Sequence, residues 1–196
     1  MQYKKLILIA VLAIVGCSAK GDTASQQRNT IQQMRINTLT KIYKIHPEAR
    51  SKILKAKGYA VFSNNSSKIL LFGFGSGYGV VKDLRTGKDT YMKMAQAGAG
   101  VGMGVKQLST VMVFNDSKAL SDFIKNGYII GADANAAAKY DDKGLPALGT
   151  SASAVAPGTV TIPKPVNVYE ITEKGLAAQA MVNGYKYWPD DYLNGK

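Results

Sequence analysis

The 196-residue chain has one cysteine, one histidine and one tryptophan. A single cysteine excludes an internal disulfide framework, so packing alone must hold the fold. A single histidine, His46, leaves few routes to a histidine-based catalytic or metal site, and no His, Cys and carboxylate cluster stands at metal-ligand spacing. Asp141-Asp142-Lys143-Gly144 lacks the alternating ligands of a calcium loop. Acidic residues are also scarce, 13 against 25 Lys and Arg, for a net charge of +12. The longest apolar run, Leu6 to Val15, falls well short of the roughly 20 residues of a membrane-spanning helix. Behind Lys4 and Lys5 it reads as a secretion signal. A nucleotide loop is absent as well: Tyr78 stands where G-x-G-x-x-G needs its third glycine, and no Gly-Lys-Ser/Thr follows a glycine loop. No metal or cofactor is expected.

The lone cysteine has a context. Ile14-Val15-Gly16-Cys17 resembles the bacterial lipobox, in which residues before the cysteine are removed and the thiol is acylated, palmitate being a typical chain. That resemblance implies a signal peptide at 1–16, a lipidated tether at 17–27 and one domain at 28–196. Ser18 after Cys17 resembles the pattern sorted to the outer membrane, facing the periplasm. Loss of Lys4 and Lys5 takes the 25 basic residues to 23, still far above 13 acids. In the cytosol such a charge points to nucleic acid. An envelope protein meets none, so its counter-charges are anionic lipid headgroups, envelope polyanions or an acidic protein or cell-wall partner.

Thr23 and Gln26 form a capping-box pattern, and Ile31, Met34, Leu39, Ile42 and Tyr43 recur at helical spacing. Pro47 ends that helix at His46, where capping is the expected job, and opens a second over 47–57 with Gly58 as its stop. Strands are predicted at 59–63, 68–84, 89–94 and 110–114, with a turn at Asn64–Ser67. A helix capped at Asn115–Ser117 ends at Asn126-Gly127. A strand is expected over Tyr128–Ala138, an exposed arm over 139–164, and a hairpin pairing 166–172 with 176–182. The tail carries Tyr185, Tyr187, Trp188 and Tyr192. Asp190-Asp191 there reads as a turn rather than as an acid–base pair.

Glycines occupy every second position at 73, 75, 77 and 79, and again at 98, 100, 102 and 104. Alternation describes strands with one face of bare backbone. Each such glycine costs up to about 1 kcal/mol relative to alanine. A close-lying element or the tight curvature of a small barrel must offset the sum.

The succession Ala56-Lys57-Gly58-Tyr59-Ala60-Val61-Phe62, the two glycine ladders, Thr110–Phe114 running into Ser117–Phe123, Gly131–Ala138 and Val168-Tyr169-Glu170 with Gly175-Leu176-Ala177-Ala178 together resemble the SYLF-domain family. The resemblance covers roughly residues 30 to 192. It implies lipid binding, without catalysis, through a basic N-terminal region. Actin binding, known for some eukaryotic members, does not carry to a periplasmic protein.

In this chain the corresponding region holds Arg28, Arg35, Lys41, Lys44, Arg50, Lys52, Lys55 and Lys57 against Glu48 alone. Lys41 and Lys44, and Lys52 and Lys55, share helix faces. The expected fold is α+β: two N-terminal helices on a strongly curved, mostly antiparallel, glycine-rich sheet or small barrel. The expected site is Lys41, Lys44, Arg50, Lys52, Lys55 and Lys57 on anionic lipid, with Cys17 as anchor. The competing expectation is a structural or interaction protein that uses the same surface for an envelope partner.

Overall fold

The computed structural model describes residues 18–69, 72–127, 129–131, 166–174 and 177–195. The expected signal segment, Cys17 and the expected arm at 139–164 lie outside them. Within the expected tether, residues 24–27 already belong to helix α1 (Ala24–Ile45). Thr23 and Gln26 satisfy each other's backbone N–H groups, as the capping box requires. Ala19 is buried against Ile31, Val80 and Leu193, so the chain joins the domain from its first described residues.

Helix α2 (Pro47–Lys55) starts at its proline and stops at Ala56, short of the predicted 57. Gly58 is not its stop; it opens strand β1 (Gly58–Ile69). A Cβ there would stand 2.7 Å from Leu120 Cδ2, so this glycine makes room for a packed helix rather than ending one.

β1 pairs antiparallel with β2 (Phe72–Asp83) from Gly58 opposite Asp83 to Ile69 opposite Phe72. The turn predicted at Asn64–Ser67 is therefore strand, and the chain reverses between Ile69 and Phe72. Asn64 and Ser66 are not turn residues because they are buried, 1% and 2% exposed. A tight turn through Arg85–Lys88, with Gly87 at φ +72°, leads into β3 (Asp89–Phe114). This 26-residue strand unites two of the predicted strands and the second glycine ladder. Its first part, to Ala99, pairs with β2, and its last part, from Gly104, pairs with β1.

Helix α3 (Ser117–Asn126) follows, capped by Asp116 Oδ1 accepting from Ala119 N–H at 2.9 Å. Gly127, at φ +63°, ends it beside the Tyr187 carbonyl, where no side chain fits. Of the strand predicted over Tyr128–Ala138, the described part is β4 (Ile129–Gly131). The predicted closing hairpin is not formed. β5 (Val166–Lys174) and β6 (Ala177–Pro189) run in one direction along the same partner, β5 opposite Phe114–Gln107 and β6 opposite Gly104–Met92. Glu173-Lys174-Gly175 has turn composition, but a strand as long as β3 offers enough edge for both segments in succession. Helix α4 (Asp191–Asn194) closes the described chain.

The result is an α+β fold on a six-stranded antiparallel sheet. Among the described residues its outer strands, β4 and β5, do not pair with each other, so the sheet is open and the expected barrel is not closed. The two sides of the sheet have different cores. On one, Phe62, Met92, Met94, Met112 and Phe114 pack with Leu120 and Phe123 of α3 and with Tyr185 and Tyr187 of β6. On the other, Ile42, Ala49 and Ile53 of the first two helices meet Val61, Val111, Val113 and Tyr169. The bare glycine face is filled from its neighbours: a Cβ on Gly79 would strike Phe62 and the Val61 carbonyl, and one on Gly75 would stand 2.9 Å from Asn64 Oδ1.

Candidate functional site

Burial of Ile31, Thr38 and Ile42 fixes the roll of α1 and leaves Ile36, Lys41, Lys44 and Ile45 on its exposed side. Burial of Ala49 and Ile53 does the same for α2, exposing Arg50, Lys52, Leu54 and Lys55. Lys57, just before β1, is exposed too. All six predicted basic residues thus reach solvent from two consecutive helices and the segment after them. Ile45 and Leu54 lie among them at 47% and 75% exposure.

Arg28 and Arg35 of the same stretch are held by partners on other elements. Arg28 Nε donates to the Leu193 carbonyl at 2.9 Å. Arg35 lies 3.2 Å from Asp89, which also takes Lys82 at 3.3 Å and Gln32 Nε2 at 3.0 Å. Asp89 therefore clamps α1 to the start of β3 and neutralises charge there. The cations farther along α1 and α2 have only Glu48 in their own helices, and its carboxylate lies 3.5 Å from His46 Nδ1.

His46 joins the helices through its backbone. Its N–H donates to the Ile42 carbonyl at 2.7 Å, and its carbonyl accepts from Ala49 N–H at 3.0 Å. The imidazole makes no cap hydrogen bond, against expectation; it lies on Tyr169, ring centroids 5.4 Å apart. Lys52 Nζ stands 5.7 Å from the centroid of the same ring, a cation–π contact that ties α2 to β5. Sequence gives no sign of this contact, because Lys52 and Tyr169 are far apart in the chain. Burial raises the pKa of both Tyr43 and Tyr59, so their phenols stay neutral at physiological pH and do not offset the surrounding positive charge.

The tail residues serve the fold. Asp190 is buried, accepts from Leu193 N–H at 3.2 Å as the cap of α4, and pairs with Lys93 at 3.2 Å. Tyr185 and Tyr187 are core residues, whereas Tyr192 is 57% exposed. One surface feature escaped the sequence reading: Phe72 and Phe74 of β2 and Val105 of β3 are 61%, 67% and 64% exposed. The sequence signal for it was the apolar run Ile69–Phe72.

A family model described as Ysc84, Las17-binding protein actin regulator, matches residues 95–196. Beta cell expansion factor A of Aeromonas veronii is 32% identical over 171 residues, covering 87% of this chain and 60% of that protein. The chain thus spans about three fifths of the length of this relative.

Proposed function

The chain belongs to the Ysc84 family of SYLF-domain proteins, and from that premise we propose that it is a non-catalytic, lipid-anchored domain that binds anionic membrane surfaces. The binding surface is the ridge of Lys41, Lys44, Arg50, Lys52, Lys55 and Lys57. Cys17 is its anchor, and the periplasmic face of the outer membrane is its place. The observation that carries this reading is the joint exposure of six cations with Ile45 and Leu54 between them. Each cation held near an anionic bilayer contributes about 1 kcal/mol, and partial burial of an apolar neighbour adds to that.

The test is flotation of residues 18–196, which lack the anchor, with anionic and with neutral vesicles. Binding to anionic vesicles alone, weakened by salt and lost when Lys41, Lys44, Lys52 and Lys55 are changed to Glu, is the expected result. Absence of binding to either vesicle overturns the reading. The matched family description names a protein partner, Las17, so a protein-binding role for the same ridge is the alternative. Capture of an acidic envelope protein by the unmodified ridge, in the absence of vesicle binding, is the outcome that favours it.

A further inference from the structure

The far end of the sheet has a surface that the basic ridge does not explain. Register places Val105, Ser67, Phe74 and Ala97 in one row across β3, β1, β2 and the first part of β3. Phe72 lies two residues along β2 from Phe74, on the same side of the strand. Ser67 and Ala97 are exposed and short, so nothing in the row shields Phe74 and Val105. β1 ends at Ile69, β2 begins at Phe72, and the two residues joining them in the sequence are Leu70 and Leu71. Two aromatic side chains this exposed, with an exposed valine in the same patch, mark an interaction surface.

The charge around this end restricts what can cover it. Residues 64–79, 94–109, 172–174 and 177–188, the strand segments that build it, contain Lys68, Lys106, Lys174 and Lys186 against one acid, Glu173. An apolar tip in a setting with net positive charge complements one kind of surface in particular, hydrocarbon beneath anionic headgroups. We propose that Phe72, Phe74 and Val105 form a hydrophobic tip that inserts into the interfacial layer of an anionic bilayer. This rests on the membrane-binding reading above and adds a second contact to it. From Gly58, next to α2, to Ile69 is about 35 Å along an extended strand. Ridge and tip therefore sit toward opposite ends of β1. A domain lying with β1 along the membrane plane uses both, and an upright domain uses only the tip.

Tryptophan reporters in the full chain test this, in a Trp188→Phe background so that a single indole is read. One variant carries Phe74→Trp, a second Val105→Trp as a check on local folding, and a third Leu54→Trp on the ridge. Each is mixed with vesicles of equal parts phosphatidylcholine and phosphatidylglycerol, with plain or with brominated acyl chains. Insertion predicts a blue shift of the Phe74→Trp and Val105→Trp emission with plain vesicles, and loss of that emission with brominated ones. Quenching of Leu54→Trp as well supports insertion with the domain lying flat. Quenching of Leu54→Trp alone overturns the tip and leaves the ridge reading intact, while quenching at none of the three removes both. Two further outcomes also overturn the tip. Emission from Phe74→Trp that is already blue-shifted without vesicles assigns the patch to another segment of this chain. Self-association abolished by Phe72→Ser with Phe74→Ser, with no quenching, assigns it to a second copy. For the insertion itself, each phenylalanine removed is expected to weaken vesicle affinity by about tenfold or somewhat more.

Discussion

Asn64 on β1 and Gln96 on β3 meet side chain to side chain across the intervening strand β2, Asn64 Nδ2 donating to Gln96 Oε1 at 2.5 Å. They can do so because their register partners on β2 are Gly77 and Gly75, which put no side chain between them. Both amides are buried, at 1% and 5% exposure. The glycine ladder of β2 is thus not an empty face but the space into which neighbouring strands send their side chains. Phe62 fills it beside Gly79, and Met94 fills it beside Gly77.

The glycines should therefore differ sharply in tolerance. Gly77→Ala sets a methyl against the Ser63 carbonyl, which is backbone and cannot swing away, and within 2.9 Å of Met94 Cγ. The expected cost is about 3 kcal/mol or more, the upper end of overpacking penalties. Gly184→Ala on β6 meets only the Ala97 carbonyl at 3.8 Å, an ordinary contact, and should be neutral within about 0.5 kcal/mol. Urea unfolding of the two variants beside the parent measures both; equal loss in the two would refute the packing account.

Asp89 is the second test point, because it receives Arg35 and Gln32 from α1 and Lys82 from β2. Asp89→Asn keeps the shape and removes the charge that all three donors face. Hydrogen bonds to a charged group are worth about 1.5–3 kcal/mol when buried, and the carboxylate is 22% exposed, so a loss of about 1–2 kcal/mol is expected. Hydrogen exchange should locate that loss in α1 while β1 and the last part of β3 keep their protection.

Stability in acid has one identifiable contributor in the β2–β3 turn. Arg85 donates to both oxygens of Asp83, and this side-chain hydrogen bonding is the main cause that lowers the Asp83 pKa below its ordinary value. A carboxyl whose folded pKa is depressed stabilises the fold above its unfolded pKa of about 4, and that contribution is lost as pH falls through the lower folded value. The parent should therefore be more stable than Asp83→Asn at neutral pH. The gap should close progressively below about pH 4. Thermal unfolding across that range decides it, and a gap independent of pH would trace to the loss of packing alone.

Much of this architecture was legible because local chemistry and tertiary structure agree. The Thr23–Gln26 capping box, Pro47 opening α2, the Arg85–Lys88 turn and the Gly127 stop each act within a few residues. Errors arose where a distant partner decided the outcome. Asn64-Asn65-Ser66-Ser67 has the composition of a turn, but Asn64 finds Gln96 and the segment stays in the strand. Lys68–Leu84 has the composition of one long strand, yet Ile69 closes β1 and pairs with Phe72 at the start of β2. The hairpin expected around Gly175 was displaced by the free length of β3, which only the assembled sheet reveals. The ridge cations were legible from charge and helical spacing. That Arg28 and Arg35 are committed to Leu193 and Asp89 was not, since those partners lie on other elements.

Charge reversal on the ridge separates binding from folding. Lys41, Lys44, Lys52 and Lys55 are exposed, so changing all four to Glu should cost little stability beyond the local contacts of these side chains, among them the Lys52 contact with Tyr169, worth about 0.5–1 kcal/mol. Vesicle affinity should respond far more strongly. Loss of four cations at about 1 kcal/mol each corresponds to roughly a thousandfold weaker binding, and the four new negative charges add repulsion. Near the surface this attraction decays over about 8 Å at physiological salt and about 3 Å at 1 M, so added salt should bring parent and variant together. An apolar contribution from the Phe72–Phe74 tip does not decay in this way. Residual binding of the parent to anionic vesicles at 1 M salt, abolished by Phe72→Ser with Phe74→Ser, therefore measures the apolar contact apart from the electrostatic one.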